Sequence, residues 1–339
     1  MRKVLKQLVM SSFMFGVLVV GVLVAGGWED VWAAFCQGAN SCQGTNINVG
    51  DNSCNGTDAC NGNNITIGDN SCNNGIHLCN GNDDTIGDAS CRDGNNLCNG
   101  HRNDINETTS TSTDGSCENG NNLCNGSDNT IADSACEDGN DKCNGHNNDI
   151  GPRCCEDGDD LCNGNRNICV ESSCETGNHN CNGNDNTWGD PISSCEDGDN
   201  LCNGNDNTIG QSACDDGDNL CNGNHNMIGL RGCSGIGGEP GNQFCNGNRL
   251  IIGEDACRRA QVGGMGDFFG DNLCNGRDLT IGDFSCSAGN DLCNGRTNMI
   301  GVDSCDDGNN NCNGNRNTLG DDVCDDGNNQ CNGNRLTIP

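Results

Sequence analysis

Residues 194–210 read SCEDGDNLCNGNDNTIG, and with small changes this stretch recurs from Cys36 to the end of the chain. Its fixed points are two cysteines, an Asn-Gly directly after the second, and one isoleucine seven residues beyond that cysteine. Aligning on cysteine gives fifteen units, and the commonest period is nineteen residues. The apolar residue occupies its slot from Val49 and Ile67 to Leu319 and Ile338, except in the seventh unit, where Cys169 takes the place. No insertion falls inside this seven-residue arm. Extra residues enter between the paired cysteines, as in CSGIGGEPGNQFC (233–245) and CRRAQVGGMGDFFGDNLC (257–274), or after the apolar residue, as in INETTSTSTDGSC (105–117). Rigid arms with tolerant corners are the mark of a solenoid, whose structural segments must stack while its turns need not.

Within the arm, the position two before the isoleucine is Asn in most units and Ile47, Ile65, Leu250, Leu279 or Leu336 in others. Alternation with a period of two puts it on the inward face beside the isoleucine. NDNTI therefore reads as a short strand pairing with its equivalents in the coils before and after. Asn207 and its counterparts are expected to form an inward asparagine ladder, each amide bonding the next. A second short strand is expected at NNLC, with Asn-Gly and Asp-Gly supplying positive φ between the two. The predicted fold is an all-β parallel β-solenoid, β-helix or β-roll-like, of about fifteen 19-residue coils stapled by disulfides.

Composition agrees. A chain of 339 residues with 53 Gly, 32 Cys and 3% aromatics cannot build one large mixed core. The N-terminus has Arg2, Lys3 and Lys6 before an apolar run from Leu8 to Gly26, then Val31 and Ala33 at cleavage-site spacing. This reads as a secretory signal over residues 1–33, the alternative being an uncleaved anchor, with a single repeat domain over 34–339. Losing the segment moves the net charge from −33 to −34. Such a surface repels phosphate backbones and anionic lipid, so neither nucleic acid nor membrane is expected as a partner of the mature chain, whereas cations are.

Energetics say what the cysteines must do. Ordering each residue of a coil costs about 1–2 kcal/mol, and a few small apolar side chains return only about 1.5–3 kcal/mol each. An isolated coil cannot fold. Stacking adds ladder hydrogen bonds, and a disulfide closing a short loop adds roughly 2.5 kcal/mol. The simplest connectivity pairs the cysteines of one unit, Cys195 with Cys202, Cys214 with Cys221, Cys305 with Cys312 and Cys324 with Cys331. Pairing between neighbouring coils is the alternative. Cys154 and Cys169 are surplus to the pattern, and their joint appearance suggests a sixteenth bridge linking coils. Zinc hooks use shorter Cys spacings and haem attachment needs Cys-x-x-Cys-His, so disulfides are the expected state.

The corners CEDGDN and CDDGDN place Asp, Asn and backbone oxygens beside glycine, a ligand set suited to calcium. Asp197, Asp199, Asp216, Asp218, Asp307 and Asp326 are the candidate ligands, and the alternative reading is plain turn chemistry. GNDNTIG at 204–210 resembles the Gly-x-Asp-x-apolar nonapeptide of RTX β-rolls, without the double glycine and with one residue more. IGDDVCDDGNN, around Cys324, is similar to the thrombospondin type 3 repeat. Both resemblances imply calcium held in turns.

Catalytic patterns are missing. The five histidines fall at scattered turn and outer positions, and no Ser-His-Asp, His-Glu-x-x-His or phosphate-loop pattern occurs. No enzymatic activity and no required cofactor are expected. Thr66, Thr85, Thr130, Thr187, Thr208, Thr280, Thr318 and Thr337 share an outward slot, which carries an ice-binding alternative. Joining Ile338 to Cys36 of a second copy leaves a linker close to the usual four residues, so the repeat is expected to stack head to tail. The function expected is a secreted subunit of an extracellular fibre or surface layer, with a calcium-dependent adhesin or binding module as the alternative.

Overall fold

A computed structural model describes residues 36, 38–105, 115–188, 194–215, 217–234, 241–258, 260–261, 268–269, 271–287, 289–306, 308–325 and 327–339. The chain divides into two compact units, Met1–Trp32 and Ala33–Pro339. The predicted signal segment lies outside the described residues. The second unit is an all-β parallel solenoid with no helix among the described residues.

Two parallel ladders run through the stack. The isoleucine slot forms one, from Val49 against Ile67 to Leu319 against Ile338, and Cys169 and Trp188 keep the register. The other is glycine on glycine, from Gly44 against Gly62 to Gly314 against Gly333. In the quoted unit the two strands are Gly204–Asn205 and Thr208–Ile209. NDNTI is thus bent, because Asp206 between the strands has φ 58. The strand expected at NNLC shrinks to a weak third ladder just upstream, seen as Gly120–Asn121 on Gly139–Asn140 and as single bridges such as Ile76 on Asn95.

Asn-Gly and Asp-Gly supply positive φ as expected, for example 138 at Gly204 and 140 at Gly158, but they are not its main source. In this coil Cys195, Asn200, Cys202, Asp206 and Ser212 are all left-handed, with φ between 48 and 60. Such a conformation costs a non-glycine residue on the order of 1–3 kcal/mol, so the staple holds both of its own cysteines at strained corners. The glycine after Asn203 serves close approach as well as positive φ. A Cβ built on Gly204 would fall 1.6 Å from the Gly223 carbonyl oxygen, and the same conflict repeats along the column. Only glycine lets these backbones stack.

The core is one file of buried cysteines, isoleucines and leucines. All 32 cysteines form sixteen disulfides with none free. Fifteen join the two cysteines of one unit, including the long intervals Cys233–Cys245 and Cys257–Cys274. The sixteenth is Cys154–Cys169. Inside the Cys257–Cys274 interval, Ala260–Gln261 pairs antiparallel with Phe268–Phe269, a hairpin the repeat pattern does not announce.

Candidate functional site

The inward asparagine column is the chemical spine of the stack. Asn207 is 1% exposed. Its Nδ2 donates to the Gly223 carbonyl at 2.9 Å, and its Oδ1 accepts the Asn226 backbone amide at 3.0 Å. The ladder therefore runs from side chain to backbone, not from amide to amide as the sequence suggested, because the stacked glycines leave carbonyls pointing inward for the side chains to satisfy. Asp84 occupies the same column near its start. Its Oδ1 accepts the Asn103 amide, while Oδ2 is buried with no hydrogen-bond partner. Burial raises this carboxyl from the ordinary 3.8 to about 7.

Lys142 stands in a slot that holds Leu123 and Leu161 in the flanking coils, fully buried. Its Nζ donates to the carbonyls of Glu137, Asp138 and Glu156. Burial pushes the ammonium down to about 8. Most units hold Leu or Phe in this slot, so Lys142, like Asp84 in the asparagine column, is visible in the sequence only as a departure from the unit consensus.

The acidic corners line up across coils. Asp197 accepts the Thr176 hydroxyl at 2.6 Å, and Asp199 accepts the Asn178 amide at 2.8 Å. The Asp199 amide in turn donates to Asp218 at 3.2 Å. Each of these three carboxylates thus commits one oxygen to stacking. Asp216, Asp307 and Asp326 lie outside the described residues. At the coils before them, Glu156 sits near Glu175 and Asp157, and its carboxyl is raised by burial and then by those two charges. Zinc has no thiolate ligand, since Cys195, Cys202, Cys214, Cys221, Cys305, Cys312, Cys324 and Cys331 are all in the expected bridges. The sulfurs of Cys195, Cys202 and Cys214 lie within 4.8 Å of one another, so successive bridges stack as a sulfur column.

The outward rank holds the eight threonines, but Met227, Ile251 and Met299 share it and are 51–56% exposed. Asp104 and Asp149 interrupt its first half. Three histidines occupy left-handed corners, each facing a corner aspartate of the preceding coil: His77 near Asp58, His179 near Asp160 and His225 near Asp206.

No helix among the described residues is long and apolar enough to cross a membrane. Sixteen disulfides with no free thiol are the chemistry of an oxidising compartment. No curated protein and no solved structure matches the chain. Residues 25–137, a third of the length and covering the first five units and the first cysteine of the sixth, match a family model described as a domain of unknown function, DUF7640.

Proposed function

We propose that this is a secreted structural repeat protein whose coils continue from copy to copy, stacking head to tail in an extracellular fibre or surface layer. One observation carries the reading: every coil stacks on the next through the same in-register glycine and isoleucine ladders, so the first coil of one copy is built to continue the stack of another. A Cβ on an internal glycine such as Gly314 would meet the carbonyl of the next coil at 1.6 Å. A Cβ on Gly333 would meet only its own coil's Leu336, at 3.5 Å. By the repeat register, Gly44 of a second copy is the group that fits there. The Cys331 amide, whose equivalent at Cys312 donates to the Gln330 carbonyl, would find Ser41 of that copy. Open parallel ladders of this kind template the addition of further strands.

Negative-stain electron microscopy of the oxidised protein tests this. Fibres of uniform width are expected, and Gly333→Leu should yield single particles with unchanged circular dichroism. Monodisperse wild-type particles at all concentrations would overturn the proposal.

Crowding of Glu156, Glu175 and Asp157 favours a second reading, a calcium-dependent adhesin or binding module, since a divalent cation would relieve like charges one coil apart. In that case calcium raises the melting temperature and chelation lowers it. Equal melting in both conditions would exclude it.

A further inference from the structure

The corner between the two main strands shows a rule and then a departure from it. Arg102 meets Asp128 one coil on at 2.5 Å, Arg166 meets Asp185 at 2.5 Å, and Arg249 meets Asp278. Each corner arginine is answered by a corner aspartate in the next coil. In the last three coils the corner holds Thr297, Arg316 and Arg335, and no aspartate answers. In the adjacent column, where earlier coils stack Asn205 on Asn224 and Asn224 on Asn248, the chain places Arg277 and then Arg296.

Arg277 has Asp278 at 3.6 Å. Among the described residues, no carboxylate forms an ion pair with Arg296, Arg316 or Arg335. Five of the sixteen basic residues of a chain with net charge −33 therefore gather along one side of the last five coils. Between them runs an open groove of about 920 Å³, lined by Asp278, Arg296, Thr297, Asn315, Arg316, Asn334 and Arg335. The hydrogen bond from Arg249, with the fields of Arg249, Arg277 and Arg296, holds the Asp278 carboxyl below its ordinary range, as a locally positive surface requires.

We propose that this groove binds a linear carboxylate-bearing polysaccharide, with successive acidic groups seated on Arg296, Arg316 and Arg335. Guanidinium groups one coil apart, about 4.8 Å, repel unless an anion lies between them, and the planar fork of arginine fits a carboxylate through two parallel hydrogen bonds. One coil rise is also close to the length of one sugar unit in an extended glycan, so a polyuronate running along the stack keeps step with Arg316 and Arg335 at the corner and reaches Arg296 in the adjacent column. The rest of the lining is amide and hydroxyl, from Asn315, Asn334 and Thr297, which suits sugar hydroxyls and offers no apolar anchor to a peptide. Nucleic acid fits poorly, because no aromatic side chain lines the groove for base stacking. The inference does not depend on head-to-tail assembly.

The test is binding of fluorescent oligogalacturonate to the oxidised full-length protein, beside its neutral methyl ester, polyglutamate and sodium sulfate. Oligogalacturonate should bind in a salt-sensitive manner and the methyl ester should not. The combined Arg296→Gln, Arg316→Gln, Arg335→Gln variant should bind about tenfold more weakly or not at all, whereas Arg102→Gln, in an answered pair, should bind as wild type. Circular dichroism on each variant confirms the fold. No oligogalacturonate binding, or equal binding by the triple variant, overturns the proposal. Equal competition by polyglutamate or by sulfate overturns the glycan assignment. Self-association that only the triple variant loses would assign the groove to a second copy's acidic corner and equally overturn it.

Discussion

Asp84 accepts the Asn103 backbone amide at 2.8 Å, in the place where Asn103 and Asn129 accept the amides of the coils after them. An asparagine there would donate its second group to the carbonyl of Gly100, as Asn129 does to Gly145. A carboxyl can do so only when protonated. Its folded value, about 7, lies above the ordinary 3.8. Its contribution to stability is therefore fully present below about 4 and is lost as pH rises through 7. Asp84→Asn should protect the Asn103 amide from hydrogen exchange at pH 8 by about 1–3 kcal/mol more than wild type, with the gain vanishing near pH 4. Equal exchange in the two proteins at pH 8 would contradict this.

Lys142 carries the opposite sign. Its folded value near 8 is below the ordinary 10.5, so the folded state releases a proton that the unfolded chain keeps. Stability should rise between about pH 8 and 10.5 on its account and stay flat below. Lys142→Leu restores the residue of the flanking coils and should remove that slope. Near pH 7 it should be neutral or stabilising by about 1–3 kcal/mol, as for other buried charges replaced by packed apolar groups. Denaturant unfolding at pH 7 and pH 10 decides it.

Gly204→Ala should be among the most damaging single changes, because the new methyl would lie 1.6 Å from the Gly223 oxygen. The φ values of 138 at Gly204 and 151 at Gly333 carry similar backbone strain. Comparing Gly204→Ala with Gly333→Ala therefore separates packing from conformation. Limited proteolysis should cut the first variant near residue 204 and leave the second intact.

The bridge between Cys154 and Cys169 should be dispensable in a way the others are not. Cys154→Ala with Cys169→Ile restores the Ala135 and Ile150 slots of the preceding unit, so the cost is the cross-link alone, about 3 kcal/mol or less. Cys195→Ser with Cys202→Ser also leaves two left-handed corners without their clamp and should lower the melting temperature further. Thermal melts of the two double variants rank them.

The sequence was most legible where one residue type had a single physical use. Asn-Gly after every second cysteine but the first, where Gln43 precedes Gly44, and the isoleucine arm foretold the coil and the register, because insertion-free spacing leaves little freedom, while the in-unit pairing of the cysteines was the simpler of two open connectivities. The acidic corners were harder: Asp197, Asp199 and Asp218 look like cation ligands in isolation, yet each has a neighbouring coil to bond. The arginine groove left no local signal, since Arg296, Arg316 and Arg335 stand far apart in sequence and meet only when the coils stack.

What the sequence determined by itself is therefore the periodicity: the unit length, the inward and outward alternation, and which cysteines lie close enough along the chain to pair. Tertiary structure alone decided where strain and charge settle. Left-handed corners at the cysteines, side-chain-to-backbone asparagine bonds, and the raised carboxyl of Asp84 arise between coils, from groups about nineteen residues apart. A residue's neighbour one coil away is set by stacking, and a linear reading of any one unit does not contain it.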